Sequence, residues 1–516
     1  MLRFIKILLI VIGMYVPVYA HEVVELKIPG SNKVVIKFMF RNGSVTDPAG
    51  KEGLTKLTTS LITEGGTKNL TQQQITDIIY PWAANYYSST DKEVSIFTFE
   101  VPLVFLEKFY PVIRDLMLTP SFTTSDFDRV KSNQQNYVDE VIRSSSDEEY
   151  SKKALEEMLF RGTNYQHLTS GTSNGLKNIT LNDVKEQYKK YFTWHNLTIG
   201  IAGNYPTSFL AKLNADVKGL PMIKPSIPEG GKPSNIDGIN IEIISKENAL
   251  GSAIFGGFPM NITRANDDFA ALMIANSWMG EHRKSYSRLY QKLREARSMN
   301  YGDYTYIEWY ESGGNNMLPS PGVPRSSNYF SFWIRPVQTA KGLKGQYTEL
   351  SAINIGHAHF ALRMVKRELD QLIQNGLNQE DFELTKEFLR SYIKLYAQSP
   401  GKQLGFLLDS KFYGRTNYLA EMDKLLAKTT LADVNNAIKK YWQTNNMDIV
   451  IVTDKSEAVA LSQSLQLGNV SPMAYSNSLK ASLATTILDE DKIVEHYSLP
   501  IKSVKIIDSD KVFISN

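Results

Sequence analysis

A sequence motif occurs twice in this chain, 250 positions apart, and it constrains the fold more than any other feature. The first copy holds Thr180-Leu181, Asp183-Val184, Lys189-Lys190-Tyr191 and Asn196, and the second holds Thr430-Leu431, Asp433-Val434, Lys439-Lys440-Tyr441 and Asn446. An apolar run with isoleucine at matching places follows each copy. The motif has the pattern of a helix followed by a strand, and its duplication predicts two similarly folded halves. The seam between the halves is therefore the first place to look for function.

The composition is that of a globular protein with enough sequence for two cores: 516 residues, 42% hydrophobic and 22% charged. The net charge of +3, from 57 basic and 54 acidic residues, is too small to favour nucleic acid or an anionic membrane as a partner. The chain has no cysteine, which excludes a disulfide framework, a thiol nucleophile, a thiolate metal site and a lipid-anchored cysteine.

The first 20 residues have the pattern of a secretory signal peptide. Arg3 and Lys6 precede an apolar stretch over 7–16, and the segment ends in Pro17 and the small-residue sequence Val18-Tyr19-Ala20. We expect cleavage after Ala20 and no membrane span in the mature chain. A retained anchor is the alternative, although the apolar stretch is shorter than the roughly 20 residues that a span needs. Export without cysteine suits a bacterial periplasm.

Local patterns predict strands and helices in both halves. The predicted strands are 25–40, 94–101, 239–245 and 251–258, and the predicted helices are 54–63, 103–118, 267–279, 358–375 and 381–397. Tyr304, Tyr306 and Tyr310 alternate with other residues as on one face of a strand, which is either core or the wall of a chamber. The acidic run Asp147-Glu148-Glu149 predicts a solvated helix start.

Proline and glycine mark the domain boundaries. The segment 219–238 is rich in both residues and predicts a linker. The chain then divides into a signal peptide (1–20), a first half (21–218), the linker, a second half (239–460) and a C-terminal extension (461–516). A further loop, 312–327, contains Gly313-Gly314 and three prolines, and it is either a functional flap or a disordered insertion.

Residues 47–67, DPAGKEGLTKLTTSLITEGGT, resemble the first-half signature of the insulinase and pitrilysin superfamily of M16 peptidases. The likeness is greatest to the bacterial and mitochondrial-processing-peptidase-like branch. The resemblance implies an α+β fold of two homologous halves joined by a linker. It further implies that each half contains two α+β domains, ferredoxin-like and similar to the LuxS metallohydrolases, and that the halves close as a clamshell around a peptide.

Active members of that family carry a His-x-x-Glu-His zinc motif on the first helix. Aligned with it, this chain has Lys56 and Ser60 at the two histidine positions and Thr59 at the general-base position. An ammonium repels a divalent cation, and a serine hydroxyl is a poor substitute for imidazole. Glu140, on the helix where a third ligand is sought, cannot hold zinc alone. No two of the seven histidines are four apart, so the motif is absent in either direction, and we expect no metal in this chain.

The segment Ser287 to Tyr301, SRLYQKLREARSMNY, resembles the second-half element of the same family. In that element an arginine and a tyrosine seven residues apart lie opposite the zinc, and here they are Arg294 and Tyr301. A guanidinium can hold a peptide carbonyl, and a phenol can stabilise an oxyanion. The alternative is structural: Arg294 pairs with a helix carboxylate and Tyr301 packs at the helix end.

The resemblance therefore implies a secreted, zinc-less subunit of a heterodimeric peptidase. A zinc-bearing homologue would be its partner, a peptide its substrate, and Arg294 and Tyr301 its contribution to a shared site. The main alternative is a catalytically inactive peptide-binding or structural scaffold protein of the same fold. A self-sufficient zinc peptidase is a third possibility, which the missing ligands disfavour.

Overall fold

The computed structural model describes residues 22–233, 235–281, 285–310 and 320–515, which form two mixed sheets flanked by helices. The predicted signal peptide and residues 312–319 of the predicted loop lie outside the described residues. Within the described ranges, every helix is too short or too polar to cross a lipid bilayer.

The first half, up to the linker, contains five strands and nine α-helices among its described residues. The strands are β1 (Glu22–Lys27), β2 (Lys33–Phe40), β3 (Asn85–Thr90), β4 (Ser95–Pro102) and β5 (Leu197–Gly203). The helices are α1 (Leu54–Glu64), α2 (Gln72–Ile79), α3 (Leu106–Leu118), α4 (Thr124–Asn136), α5 (Ile142–Ser144), α6 (Asp147–Leu159), α7 (Ser173–Asn178), α8 (Leu181–Tyr191) and α9 (Thr207–Asp216). A π-helical turn, Tyr137–Val141, joins α4 to α5.

The second half and the extension follow the same plan with additions at the C-terminus. The strands are β6 (Ile239–Lys246), β7 (Ser252–Met260), β8 (Asp303–Tyr306), β9 (Asn328–Val337), β10 (Met447–Asp454) and β11 (Ile501–Asp508). The helices are α10 (Phe269–Gly280), α11 (Ala340–Gln346), α12 (Ala358–Asn375), α13 (Gln379–Tyr396), α14 (Pro400–Phe412), α15 (Tyr418–Lys428), α16 (Leu431–Tyr441), α17 (Lys455–Leu467), α18 (Asn477–Ser482) and α19 (Thr485–Val494). A second π-helical turn spans Tyr290–Glu295.

The two sheets share the same strand order. The first has the strand order β1-β5-β2-β4-β3, and the second repeats it as β6-β10-β7-β9-β8 with β11 added beside β6. In each half the first and last strands pair in parallel, β1 with β5 and β6 with β10. The predicted α+β duplication is thus confirmed. Among the described residues each half contributes one sheet to this fold.

The repeated motif forms the same local structure in both halves. Thr180 caps α8 and Thr430 caps α16, each through a capping box in which the aspartate three residues later returns a hydrogen bond. Such a box satisfies backbone donors that the first helical turn leaves unpaired. The apolar run after each helix becomes β5 or β10, which lies inside its sheet and is almost fully buried.

Each half lends one helix to the sheet of the other half. Helix α6 packs on β7 and β10 of the second sheet, and α14 packs on β5 and β1 of the first. One apolar core therefore contains residues of both halves, among them Tyr150 and Leu155 of α6 and Trp333 and Val450 of the second sheet. Because a sheet must cover its apolar face, neither half can leave the other without exposing core.

Two local expectations need correction. The predicted strand 25–40 is two strands, β1 and β2, with a turn between them at Gly30, whose φ is 80°. The acidic run at the start of α6 is paired instead of simply solvated: Asp147 binds Lys246 at 2.5 Å and Glu148 binds Arg335 at 2.8 Å. Both partners belong to the second half, so these charges tie the halves together.

The structure of the linker and of the tyrosine-rich strand agrees with the predictions made from the sequence. No described residue between Gly219 and Ile239 is in a helix or a strand. Tyr304, Tyr306 and Tyr310 are buried, and the Tyr306 ring lies 4.2 Å from that of Tyr310, so this face is core. The boundary expected at residue 460 lies inside α17.

Candidate functional site

A cavity of about 730 Å³ lies at the seam between the halves. Helix α1 contributes Lys56 and Ser60 to its lining, one helical turn apart on one face. The second half contributes Trp309 and Arg325. The cavity therefore lies where the resemblance places the zinc of an active family member.

The three degenerate motif positions do not form a zinc donor set. Lys56 carries an ammonium group, and Ser60 offers one neutral hydroxyl. Thr59, at the general-base position, is buried and its hydroxyl is bonded to Thr90 at 2.6 Å and to the carbonyl of Lys56 at 2.8 Å. These side chains cannot fix a divalent cation or take a proton from water.

Helix α4 and the π-helical turn after it offer the cavity no carboxylate, although Glu64 of α1 and Glu149 of α6 are among its lining residues. Asn133 and Tyr137, four residues apart, face the cavity, whereas Glu140 is exposed and lines a different groove with Asp139 and Lys177. Glu140 lies in the π-helical turn, which has more residues per turn than an α-helix and shifts the face that follows. Within the described ranges, no group of three or more His, Asp or Glu side chains is placed to hold a metal ion.

A buried ion cluster forms one wall of the cavity. The Arg325 guanidinium donates to both oxygens of Asp91 at 2.6 Å and also to Glu156 of α6. Its carbon lies 4.6 Å from the centre of the Trp309 ring. Lys92, fully buried beside it, donates to the carbonyls of Tyr165 and His167 at 2.7 and 2.6 Å. Desolvation lowers the pKa of Lys92 to about 8, although Glu156 opposes that shift.

The described end of the predicted 312–327 loop is fixed between the halves. Gly322 donates its backbone N–H to both oxygens of Asp409 at 3.1 and 3.0 Å, and Arg325 donates its own N–H to Tyr413 at 3.0 Å. Ser326 donates its N–H to Glu93 at 2.6 Å. Residues 320–327 therefore bind both halves at once and hold Arg325 in the cavity wall.

Arg294 and Tyr301 lie together on the surface of the second half. The Arg294 guanidinium carbon is 4.6 Å from the centre of the Tyr301 ring and 4.9 Å from that of Tyr290. Tyr301 is 64% exposed. Neither residue of the pair is among the described residues that line the seam cavity. Tyr301 thus faces solvent, where a second molecule can reach it, and the half-buried Arg294 lies beside it.

Arg335 connects this pair to the first half. Its guanidinium carbon lies 5.1 Å from the centre of the Tyr301 ring, and its Nε donates to Glu148 of α6 at 2.8 Å. Asn300 donates to the Arg335 carbonyl at 3.1 Å and to the buried Asp303 at 2.7 Å. Desolvation raises the pKa of the Asp303 carboxyl well above its usual range, and the hydrogen bond from Asn300 only partly offsets it.

A second ionic group lies under the segment that carries Arg294. We call it the Glu490 network; it consists of Arg288, Lys292, Arg297, Arg367, Glu368, Glu490 and Asp491. Glu490 of α19 binds Lys292 at 2.6 Å, Arg297 at 2.9 Å and Arg367 at 3.0 Å. Burial alone would raise the pKa of Glu490, but the hydrogen bonds from Lys292 and Arg297 outweigh it and lower the pKa to about 2.

Sequence reasoning missed both ionic groups. Arg325 and Asp91 are 234 positions apart, so no local pattern connects them. The one available signal was the charged run Asp91-Lys92-Glu93 directly before the predicted apolar strand 94–101, because charges that a fold buries must find partners.

The comparisons with known families now define the class. Residues 22–173 match the model described as "Insulinase (Peptidase family M16)", and residues 178–389 match "Peptidase M16 inactive domain". The chain belongs to the M16 peptidase family, as its sequence signature predicted. The match of residues 178–389 to the family's inactive domain supports a catalytically inactive M16-fold protein.

Individual relatives agree with this class. "Non-peptidase homolog YmxG" of Helicobacter pylori is 22% identical over 429 residues, which are 82% of this chain and 89% of that protein. The M16 inactive-domain structure from Pseudomonas fluorescens has a TM-score of 0.71 at 18% identity, over 84% of this chain and 96% of that chain. A chain of complex III2 from Candida albicans has a TM-score of 0.66 at 12% identity, over 83% and 93%. The structural likenesses establish the fold.

Breaking the Arg325 cluster should destabilise the protein strongly. The change Asp91→Asn leaves a buried guanidinium short of one anion, and such losses typically cost about 3–5 kcal/mol. Glu186→Gln is the control, because Glu186 and its partner Lys189 are both more than half exposed and such pairs are worth about 0–1 kcal/mol. Urea unfolding of the two variants measures the difference. Equal midpoints would show that the cluster contributes no net stability.

The Glu490 network should give a distinct acid dependence. Because the pKa of Glu490 falls from an ordinary 4.5 to about 2 on folding, its ionised form stabilises the fold above pH 4.5, and this contribution disappears as the pH falls through about 2. The unfolding free energies of the wild type and Glu490→Gln should therefore differ most above pH 4.5 and converge near pH 2. Urea unfolding across this window measures the gap, and a gap independent of pH would contradict the assignment.

Proposed function

We propose that this chain is the non-zinc subunit of a secreted, heterodimeric M16-type metallopeptidase, in which it supplies Arg294 and Tyr301 to a site completed by a zinc-bearing homologue. The observation that carries the proposal is the contact of the half-buried Arg294 with the exposed Tyr301, with the guanidinium carbon 4.6 Å from the centre of the phenol ring, in a chain whose zinc positions hold Lys56 and Ser60. A chain that keeps one part of a catalytic site and lacks the other suits a shared site.

The chemistry of the pair fits polarisation of a peptide bond. Arg294 has fixed N–H donors that can bind a substrate carbonyl, and the Tyr301 hydroxyl can donate a hydrogen bond to the oxyanion formed when water attacks. Neither group can generate the nucleophile, because an arginine stays protonated and a phenol is a weak base. The zinc-bound water of the partner would supply it. The residues of this chain would therefore bind and orient the substrate peptide, and the partner would activate the attacking water.

The location follows from the N-terminal sequence. Residues 1–20 support export, and the absence of cysteine suits the bacterial periplasm. The partner is then a second exported M16 chain that carries the His-x-x-Glu-His motif, and the substrate is a peptide that enters between the subunits.

Co-expression with a zinc-bearing homologue from the same genome tests the proposal. Peptide cleavage by the purified complex should fall by about 100-fold in Arg294→Ala and in Tyr301→Phe, the cost typical of losing one oxyanion donor. Tyr80→Phe is the matched control, because Tyr80 is also exposed, at 83%, but lies in the first half away from the pair. Wild-type rates in both variants would exclude the shared site.

The alternative is a catalytically inactive peptide-binding or scaffold protein of the same fold. The buried Arg325 cluster favours it, because that cluster fixes the walls of a cavity that has no catalytic group at its zinc positions. The name of the Helicobacter pylori relative, a non-peptidase homologue, is in line with it. Isolation of the native protein without any zinc-bearing M16 chain would favour the scaffold over the heterodimer.

A further inference from the structure

The C-terminal extension contacts the segment that presents Arg294. Helix α19 lies at residues 485–494, beyond the ranges that the two family models match, and its Glu490 and Asp491 point at Lys292 and Arg297. These two cations flank Arg294 in the sequence. The extension therefore contacts the Arg294 segment on both sides of Arg294.

Arg297 is the central residue of this contact. Its side chain has no measurable exposure, and its three donor nitrogens reach Asp491 at 2.7 Å, Glu490 at 2.9 Å and the backbone carbonyl of Lys292 at 2.7 Å. The last bond satisfies a carbonyl of the π-helical turn that contains Arg294. A buried guanidinium is stable only when it is paired. The conformation of the turn thus depends on two carboxylates that are nearly 200 residues away in sequence.

Other contacts of the network restrain the two ends of the segment. Arg288, at the start, binds Glu368 of α12 at 2.5 Å, and Arg367 joins Glu368 at 2.6 Å to Glu490 at 3.0 Å. At the far end the chain turns sharply at Ser298, whose φ of 52° is left-handed. That turn brings Tyr301 back to Arg294. A strained turn of this kind needs support from its surroundings.

We propose that Glu490 and Asp491 are positioning residues that hold Arg294 and Tyr301 in the geometry required by the shared site; this inference rests on the proposed function. They do not touch substrate. They act through Arg297, which fixes the turn, and through Lys292, which fixes the residues before Arg294. Tyr475 donates its hydroxyl to Asp491 at 2.8 Å and sets the orientation of that carboxylate. The extension is then a functional part of the subunit.

A spin label tests the positioning without any partner. The chain has no cysteine, so Glu295→Cys, at an exposed position beside Arg294, gives one labelling site. The background change Glu490→Gln with Asp491→Asn should increase the mobility of the label severalfold. Asp489→Asn is the matched control, since Asp489 lies on the same helix but pairs with the exposed Lys492. Circular dichroism confirms folding, and the single change Glu490→Gln provides a milder variant.

The same changes, without the label, are then introduced into the complex with the zinc-bearing homologue. We expect kcat for peptide cleavage to fall by about tenfold to 100-fold, as misaligned groups typically cause, with KM nearly unchanged and Asp489→Asn at the wild-type rate. An unchanged label mobility in both the single and the double variant overturns the positioning role. So does a mobile label with a wild-type kcat. If the wild-type complex itself cleaves nothing, the proposed function has failed, and a mobile label then leaves Glu490 and Asp491 a structural role only.

Discussion

The exchange of α6 and α14 between the halves is the constraint on which the structure depends. Each sheet buries one face under a helix that the other half supplies. Separating the halves would expose this apolar surface to water, at a cost of about 25 cal/mol of folding free energy for each Å². The halves of this chain are therefore fixed together as one body with a shared core. The cavity at the seam lies against this shared core, to which Val130 and Leu168 of its lining belong.

The exchange also explains why charges pair across the seam. Helix α6 brings Asp147, Glu148 and Glu156 to the second half, where they bind Lys246, Arg335 and Arg325 respectively. The Arg325–Glu156 pair is buried, and a buried ion pair gives little net stability but strongly penalises any arrangement that separates its members. This pair therefore favours one relative placement of the halves, and the two partly exposed pairs contribute less. The apolar core supplies the stability, and the charges supply the specificity.

The sequence alone predicted those features that follow from local residue patterns or from likeness to a family. The repeat at Thr180 and Thr430 predicted the duplicated helix-strand units. The resemblance placed Arg294 and Tyr301 opposite the zinc positions; the structure brings the two side chains together, but neither is among the described residues that line the cavity beside Lys56 and Ser60. The rest depended on contacts that no local pattern encodes. Arg325 finds Asp91 only because residues 320–327 cross the seam, and Glu140 leaves the cavity because of a π-helical turn. The start of α6 looked solvated because the cationic partners of Asp147 and Glu148 are about 100 and 190 positions away.

The C-terminal extension has no counterpart among the described residues of the first half. It contacts both ionic groups, since α19 belongs to the Glu490 network and the tail binds α6, which carries Glu156 of the Arg325 cluster. Strand β11 pairs with β6, while no described strand pairs with the outer edge of β1. The tail then returns to the first half: Tyr150 of α6 donates to the Ser509 carbonyl at 2.6 Å, and Ser173 donates its N–H to the Phe513 carbonyl at 3.0 Å. One segment thus holds the Arg294 turn through α19 and α6 through its tail. Since Glu148 of α6 also binds Arg335, which lies against the Tyr301 ring, the placement of the halves and the geometry of the Arg294–Tyr301 pair are linked through this one helix.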